Sequence, residues 1–249
     1  MPYRGSRKHI LDWCELPRFL PELLALAPTR ARAGPESSWL PTGYRCPDEA
    51  VLDNFGPAVL PQITAWAALK AWWLRHSRGA NTPNWDLALT CELDGEPGLL
   101  LIEAKAHAAE LKVEGKTPVQ ANSRNSADND EQIRGAIAEA AGQLAALGYP
   151  THISADSHYQ LSNRLAFTWK LASLGVPTVL IYLGFLGDTG LGGEFRPFFS
   201  HDEWKGVLTE HAHEIRAEGL LDTHFVVGDT PAWVLVRSRP VLEVSPGAS

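Results

Sequence analysis

The chain has 249 residues, of which 45% are hydrophobic, and a formal net charge of −7 at pH 7. This size and composition predict a globular protein with one large domain, or one domain with an appendage. No apolar run approaches the roughly 18 residues of a membrane span, and the first residues lack the apolar segment of a secretory signal, so we expect a cytoplasmic protein without a membrane partner.

The three cysteines, Cys14, Cys46 and Cys91, are widely spaced along the chain. Their odd number and their spacing fit neither a disulfide framework nor a Cys-x-x-Cys zinc site. We therefore expect reduced thiols packed inside the protein.

Residues 1–47 predict an N-terminal arm rather than a domain. A leucine-rich segment over 16–27 predicts a short helix that begins at Pro17 and ends before Pro28. Residues 1–45 carry seven basic and four acidic side chains, a net +3. The overall negative charge argues against broad binding to phosphates, but this basic arm could still contact a phosphate backbone. A solvated, mobile tail accounts equally well for the first eight residues.

A helical region is predicted over 48–75, with breaks at Gly56-Pro57 and Pro61. Its tryptophans fall near one helical face, which favours core packing over stacking on nucleobases. Glu49 and Asp53 could add a carboxylate to a metal site, although a solvated helix end is the simpler interpretation.

The segment from 85 to 105 predicts a β-hairpin. Residues 85–93 alternate loosely between apolar and polar, and Asp94-Gly95 is a strong signal for a tight turn. Residues 98–105 then predict a strand buried on both faces. No separate strand is evident before this hairpin.

The hairpin brings three charged residues toward one point. Asp86 lies early in the first strand, across from the end of the second, where Glu103 and Lys105 share a face. Two carboxylates with the carbonyl of Ala104 make a hard oxygen site suited to Mg²⁺, and the ammonium can position a water. This set predicts phosphodiester hydrolysis. The alternative is an ordinary exposed ion pair between Glu103 and Lys105.

At these residues the chain resembles the PD-(D/E)xK nuclease superfamily, over roughly 48–186. The resemblance implies an α/β, restriction-endonuclease-like core with a mixed central β-sheet flanked by helices. It also implies Asp86, Glu103 and Lys105 as catalytic residues, with Asp86, Glu103 and Ala104 binding Mg²⁺, for which Mn²⁺ can substitute. The expected partner is nucleic acid, with DNA favoured. Trp85 replaces the proline that often precedes the aspartate in this family.

A long polar stretch over 106–130 follows Lys105. Loops beyond about 12–15 residues without structure of their own are uncommon unless they are functional or disordered. Lys112, Lys116 and Arg124 make this stretch a candidate flap over the substrate, with simple disorder as the alternative.

Two helices and a central strand are predicted next. The helices begin at capping boxes, Asp128-x-x-Glu131 and Ser157-x-x-Gln160, and end near 147 and 174. The second helix carries Gln160, Asn163 and Arg164 in its first two turns, and a helix N-terminus attracts anions. We therefore predict that these three bind substrate phosphate or support the metal site, with a plain polar helix face as the alternative. Residues 176–186 predict the central strand.

The remainder predicts a flexible glycine-rich loop over 187–193, a helix from Ser200 to about 217, and a terminal hairpin of 223–227 and 232–236. The nuclease domain would span 48–240, with a C-terminal hairpin extension and a loose tail over 241–249. The competing functional hypothesis is a noncatalytic module that binds nucleic acid or protein through a nuclease-like core. A homodimer or a partner protein is also compatible with the sequence.

Overall fold

The computed structural model describes residues 3–28, 30–34, 36–52, 55, 65–78, 80–117, 124–191, 193 and 195–242. The protein is α/β, with a mixed central sheet that has helices on both faces. None of the helices in these ranges combines the length and the apolar character needed to cross a bilayer. The predicted helix breaks, Asp53, part of the predicted flap and most of the predicted tail lie outside the described residues.

The described strands, in chain order, are β1 (Ala31–Arg32), β2 (Trp39–Leu40), β3 (Ala50–Val51), β4 (Asn84–Trp85), β5 (Leu87–Leu93), β6 (Glu96–Lys105), β7 (Thr178–Leu186), β8 (Thr223–Val227) and β9 (Thr230–Pro240). The described helices are α1 (Gly5–Cys14), α2 (Phe19–Leu26), α3 (Ala65–Trp73), α4 (Arg124–Ala146), α5 (Tyr159–Ser173) and α6 (His201–His213).

The central sheet has the strand order β1-β5-β6-β7-β9-β8, and β2 also pairs with β5. The pairs β5–β6 and β8–β9 are antiparallel, whereas β6–β7 and β7–β9 are parallel. The predicted hairpin is confirmed: Asp94 and Gly95 both have positive φ, as the tight turn requires. The short strands β1 and β2 precede Asp86 and pair with β5, although no separate strand was evident in the sequence before the hairpin.

The two faces of the sheet form two hydrophobic clusters. In β6, Leu99 and Leu101 face the cluster that includes α3, α4, α5 and α6, while Leu100 and Ile102 face α1 and α2. Neighbouring strand residues point to opposite faces, so one buried strand serves both clusters. The predicted packing role of the tryptophans is confirmed, because those of α3 lie in the first cluster.

The prediction of a mobile N-terminal tail is wrong for residues 5–8, which belong to α1. Further along α1, the side chains of Ile10, Leu11 and Trp13 are fully buried. Gly5 begins the helix with a φ of 57°, and the backbone N–H of Ser6 donates to Glu110 Oε1 at 3.1 Å. The group that caps the start of α1 is the carboxylate of Glu110, which lies far away in the sequence. The residues next to the helix therefore gave no signal of where it begins.

Several predicted boundaries also change. Residues 50–51 form a strand that pairs with β4, so the predicted helical region does not begin at 48. Its later part is confirmed as α3, while residues 53–54 and 56–64 lie outside the described residues. Helix α4 begins at Arg124, before the predicted capping box. Helix α5 begins after His158, whose φ is 48° and whose side chain makes no capping bond, so the second capping box is wrong as well. The Ser200 cap of α6 is confirmed by its 3.1 Å bond from the Glu203 N–H.

Gly184 of β7 lies in register with Lys105 and allows α6 to approach the sheet. A Cβ at this position would lie 2.5 Å from the indole Cγ of the fully buried Trp204. Gly184→Ala should therefore lower the free energy of unfolding by about 1–3 kcal/mol, the usual cost of overpacking a core. Urea unfolding at neutral pH measures the loss. Gly142→Ala in α4, where no atom lies within 4 Å of the added Cβ, is the control and should not destabilise the protein.

Candidate active site

The hairpin brings Asp86 to the end of β6, as predicted. Asp86 lies between β4 and β5, and the pairing of Leu87 with Ile102 places it opposite Glu103. Its Oδ2 accepts a hydrogen bond from the N–H of Ala104 at 2.7 Å. The antiparallel register of β5 and β6 therefore places the carboxylates of Asp86 and Glu103 next to each other.

Glu103 is a buried carboxylate held by two cations. Only 1% of its surface is exposed, and Lys105 is 4% exposed. Glu103 Oε1 accepts from the Lys105 ammonium, and Oε2 accepts from Arg164 Nε at 2.7 Å. The alternative interpretation of an exposed ion pair is wrong, because the pair exists but lies in the interior.

The guanidinium of Arg164, on α5, makes all its described contacts with groups of the protein itself. Its Nη1 donates to Asn163 Oδ1 at 2.7 Å, and its Nη2 donates to the carbonyl of Asn84 at 2.6 Å. The guanidinium also lies over the Trp85 ring, 4.5 Å from the centroid. These contacts connect Arg164 to Glu103 and to β4. Of the two predicted roles, binding substrate phosphate or supporting the metal site, this placement is compatible with the second. Trp85 supplies the aromatic ring on which the guanidinium stacks.

The four charges shift one another's pKa values. Burial, followed by the charge of Glu103, raises the pKa of Asp86 to about 7. Burial also tends to raise the pKa of Glu103, but Arg164 and Lys105 outweigh it and leave the pKa below its ordinary value. For Lys105, burial acts to lower the pKa, and the charges of Glu103 and Asp86 outweigh it. Glu103 is thus ionised, and Asp86 is the carboxyl that titrates near neutrality.

A cavity of about 860 Å³ opens beside Asp86. The three predicted substrate-binding residues, Gln160, Asn163 and Arg164, all line it together with Asp86. The buried Glu103 and Lys105 do not. The structure therefore places one catalytic candidate at the cavity wall.

The predicted flap contributes two lysines to this cavity, Lys112 and Lys116. Lys116 is paired with Asp130 at 2.7 Å. In the part of the chain that the structure describes, Lys112 has no carboxylate within ion-pair distance, and the Gln160 side chain has no hydrogen-bond partner. These two groups are available to bind an anion in the cavity.

The oxygen atoms fit a divalent metal in part. Asp86 uses one oxygen for the Ala104 N–H, and the carbonyl of Ala104 points to the same side of β6 as that N–H, beyond the last residue pair with β5. Both oxygens of Glu103 accept a bond from a cation, so a metal would approach this carboxylate beside the positive charge of Lys105 or Arg164. Glu49 also lines the cavity but lies 3.5 Å from Arg7. Within the described residues, no group of three or more His, Cys, Asp or Glu side chains is placed to hold a metal.

Two neighbours of this network carried no sequence signal. Tyr182 of β7 lies in register with Glu103, its buried hydroxyl has no hydrogen-bond partner among the described residues, and burial raises its pKa well above the ordinary value. Glu110 lies close enough to help raise the pKa of Lys105. Neither residue stands in a recognisable sequence motif. The tertiary fold brings both of them to the site.

Comparison of the chain with protein-family models, with curated proteins and with solved structures found no match.

Proposed function

We propose that the protein is a Mg²⁺-dependent nuclease with a restriction-endonuclease-like core, which hydrolyses phosphodiester bonds of nucleic acid, with DNA favoured. The observation that carries the proposal is the convergence of Asp86, Glu103 and Lys105 at the end of one buried strand, beside a cavity lined by donors. A buried set of this kind needs a reason, because desolvated charges are costly.

Each residue has a proposed use. Asp86, the Ala104 carbonyl and Glu103 would bind Mg²⁺, which supplies Lewis-acid activation of the phosphoryl group and of the attacking water. Lys105 would orient that water for in-line displacement and balance the charge that develops at phosphorus. Mn²⁺ should substitute for Mg²⁺, since both accept carboxylate and carbonyl oxygens.

The substrate would enter the cavity beside Asp86. Lys112 and Gln160 supply donors without described partners, and Gln160 lies at the start of α5, where backbone N–H groups favour anions. Asn163 adds an amide next to Arg164. We propose that Lys112, Gln160 and Asn163 bind substrate phosphate, and that Arg164 acts through Glu103.

The cytoplasm is the proposed compartment, and the three free thiols fit a reducing environment. We also propose a homodimer or a complex with a partner protein as the working form. Size-exclusion chromatography with light scattering decides between a monomer and a dimer.

A noncatalytic binding module is the second candidate. It is favoured by the closed state of Glu103, because each of its two oxygens accepts a bond from a cation. Such a site could be a structural remnant inside a domain that binds nucleic acid or protein. The cleavage assay below separates the two candidates.

Circular, linear and single-stranded DNA, and RNA, incubated with the purified protein in Mg²⁺ and in EDTA, test the nuclease proposal. We expect metal-dependent cleavage of at least one DNA substrate. Absence of metal-dependent cleavage on all four substrates would reject the nuclease proposal and leave the binding module.

Lys105→Ala should remove turnover and retain metal binding, since lysine is not a ligand. A lost proton-transfer or water-positioning group typically costs about 10²–10⁴-fold in rate. Single-turnover cleavage and Mn²⁺ titration of the folded variant measure the two effects. Lys205→Ala, at a half-exposed lysine on α6, is the control and should cut normally. A Lys105→Ala protein that cuts at the wild-type rate would take this residue out of the mechanism.

A further inference from the structure

We infer that Arg164 is a positioning residue that holds Glu103 by Oε2, and that Lys105 is the cation that gives up Oε1 when a divalent metal binds. This inference rests on the proposed metal site. It assigns one oxygen of Glu103 to the protein and the other to the metal.

Arg164 is fixed by contacts in four directions. Its Nε, Nη1 and Nη2 each donate to a different acceptor, at 2.6 to 2.7 Å, and its guanidinium stacks on Trp85. Moving it would leave the carbonyl of Asn84 without this donor and would break the bond to Asn163. A buried acceptor without a donor is costly, so Arg164 stays in place when other groups rearrange.

Lys105 makes fewer hydrogen bonds than Arg164. Within the described residues, its ammonium has one hydrogen-bond partner, Glu103 Oε1. The charges of two further carboxylates, Asp86 and Glu110, act on the ammonium and help to raise its pKa. A lysine ammonium sits on a flexible four-carbon chain, so it can change partners without a backbone movement.

The charges at the site and the contacts of the two cations both indicate that Lys105, rather than Arg164, moves when a metal binds. The metal-free site has two carboxylates and two cations, so an entering divalent ion meets repulsion from both cations. Release of Oε1 by Lys105 would move the ammonium out of the path by which the metal approaches this oxygen, while Arg164 keeps the carboxylate plane in position. The ammonium of Lys105 would then be available to orient the attacking water, the role proposed for it above.

Calorimetric titration with Mn²⁺ alone tests the inference on the full-length protein. Lys105→Met should bind Mn²⁺ about tenfold more tightly than the wild type, because it removes the competing cation. Arg164→Lys should bind about 10–100-fold more weakly, although it keeps the charge, because outer-shell partners that orient a ligand are worth that much. Lys205→Met and Arg30→Lys, at exposed ion pairs, are matched controls and should leave the affinity unchanged.

A second readout separates positioning from mere structural support. The Arg164 Nε–H signal in ¹H–¹⁵N spectra, identified by its loss in Arg164→Lys, should persist through a Mg²⁺ titration, whereas the Lys105 ammonium signal should shift. A purely structural arginine would leave Mn²⁺ affinity intact in any Arg164→Lys protein that folds. If Lys105→Met does not fold, Lys105→Gln gives the same comparison with a donor retained.

The outcomes also separate this inference from the nuclease proposal. Loss of the Arg164 signal on adding Mg²⁺, or unchanged Mn²⁺ affinity in both variants, would overturn the inference even if the wild type cuts DNA. The expected affinities without cleavage would support the inference and reject the nuclease. A wild-type protein that binds no Mn²⁺ would overturn both.

Discussion

Glu103→Gln should abolish cleavage and lower the free energy of unfolding of the metal-free protein by about 3 kcal/mol or more. Glu103 is the shared partner of Lys105 and Arg164, and all three are buried. Removing one partner of a buried ion pair leaves uncompensated charge, which typically costs about 3–5 kcal/mol. Repulsion between Glu103 and Asp86 is relieved at the same time, but the loss of two attractive contacts is larger.

Urea unfolding in EDTA at pH 8 measures this effect, and the cleavage assay measures the activity. Glu92→Gln on β5 is a matched control, because Glu92 is exposed; its effect should stay within about 0.5 kcal/mol. Unchanged or raised stability of Glu103→Gln would mean that repulsion from Asp86 dominates. That is the result expected from the sequence alone, before Arg164 is known to contact Glu103.

Asp86→Asn should have the opposite effect on stability while also abolishing metal binding and cleavage. The pKa of Asp86 is raised from 3.8 to about 7, so between these values the folded protein binds a proton that the unfolded chain has released. Wild-type stability therefore falls as pH rises through this window and levels off above about pH 7. Asparagine carries no charge and avoids this fall. Because Asp86 is partly exposed and water screens part of the effect, we expect a gain of about 1–3 kcal/mol at pH 8.

Urea unfolding of wild type and Asp86→Asn in EDTA, from pH 4.5 to 8.5, tests the sign. The variant's advantage should grow with pH up to about 7 and then remain constant. An advantage of the same size at pH 4.5 and 8.5 would show that ionisation of Asp86 does not cause it. Added Mn²⁺ should stabilise the wild type and leave the variant unchanged, since only the wild type keeps the ligand.

The hairpin that brings Asp86 near Glu103 could be predicted because its determinants are local. Asp94-Gly95 specifies a tight turn, and the alternation around it specifies the register, so the two strands need no distant residue to align. The cap of α6 at Ser200 is local in the same way. The tryptophans of α3 were placed in the core by their spacing on one helical face.

Other features depend on contacts between distant parts of the chain. Helix α1 is capped by Glu110, 104 residues away, and β3 pairs with β4 across more than thirty residues. The predicted capping box of α5 failed because His158 takes a left-handed conformation instead. A local pattern cannot report a partner that only the folded chain supplies.

The sequence by itself determined that two carboxylates and a lysine meet at the end of a buried strand, since turn chemistry and strand alternation suffice for that. Only the tertiary structure decided which charges balance there. Arg164 reaches Glu103 across 61 positions in the chain, and the packing of α5 against the sheet brings it there. This one contact gives the pair of carboxylates two distinct roles: Glu103 is ionised and held from both sides, while Asp86 faces the cavity and titrates near neutrality.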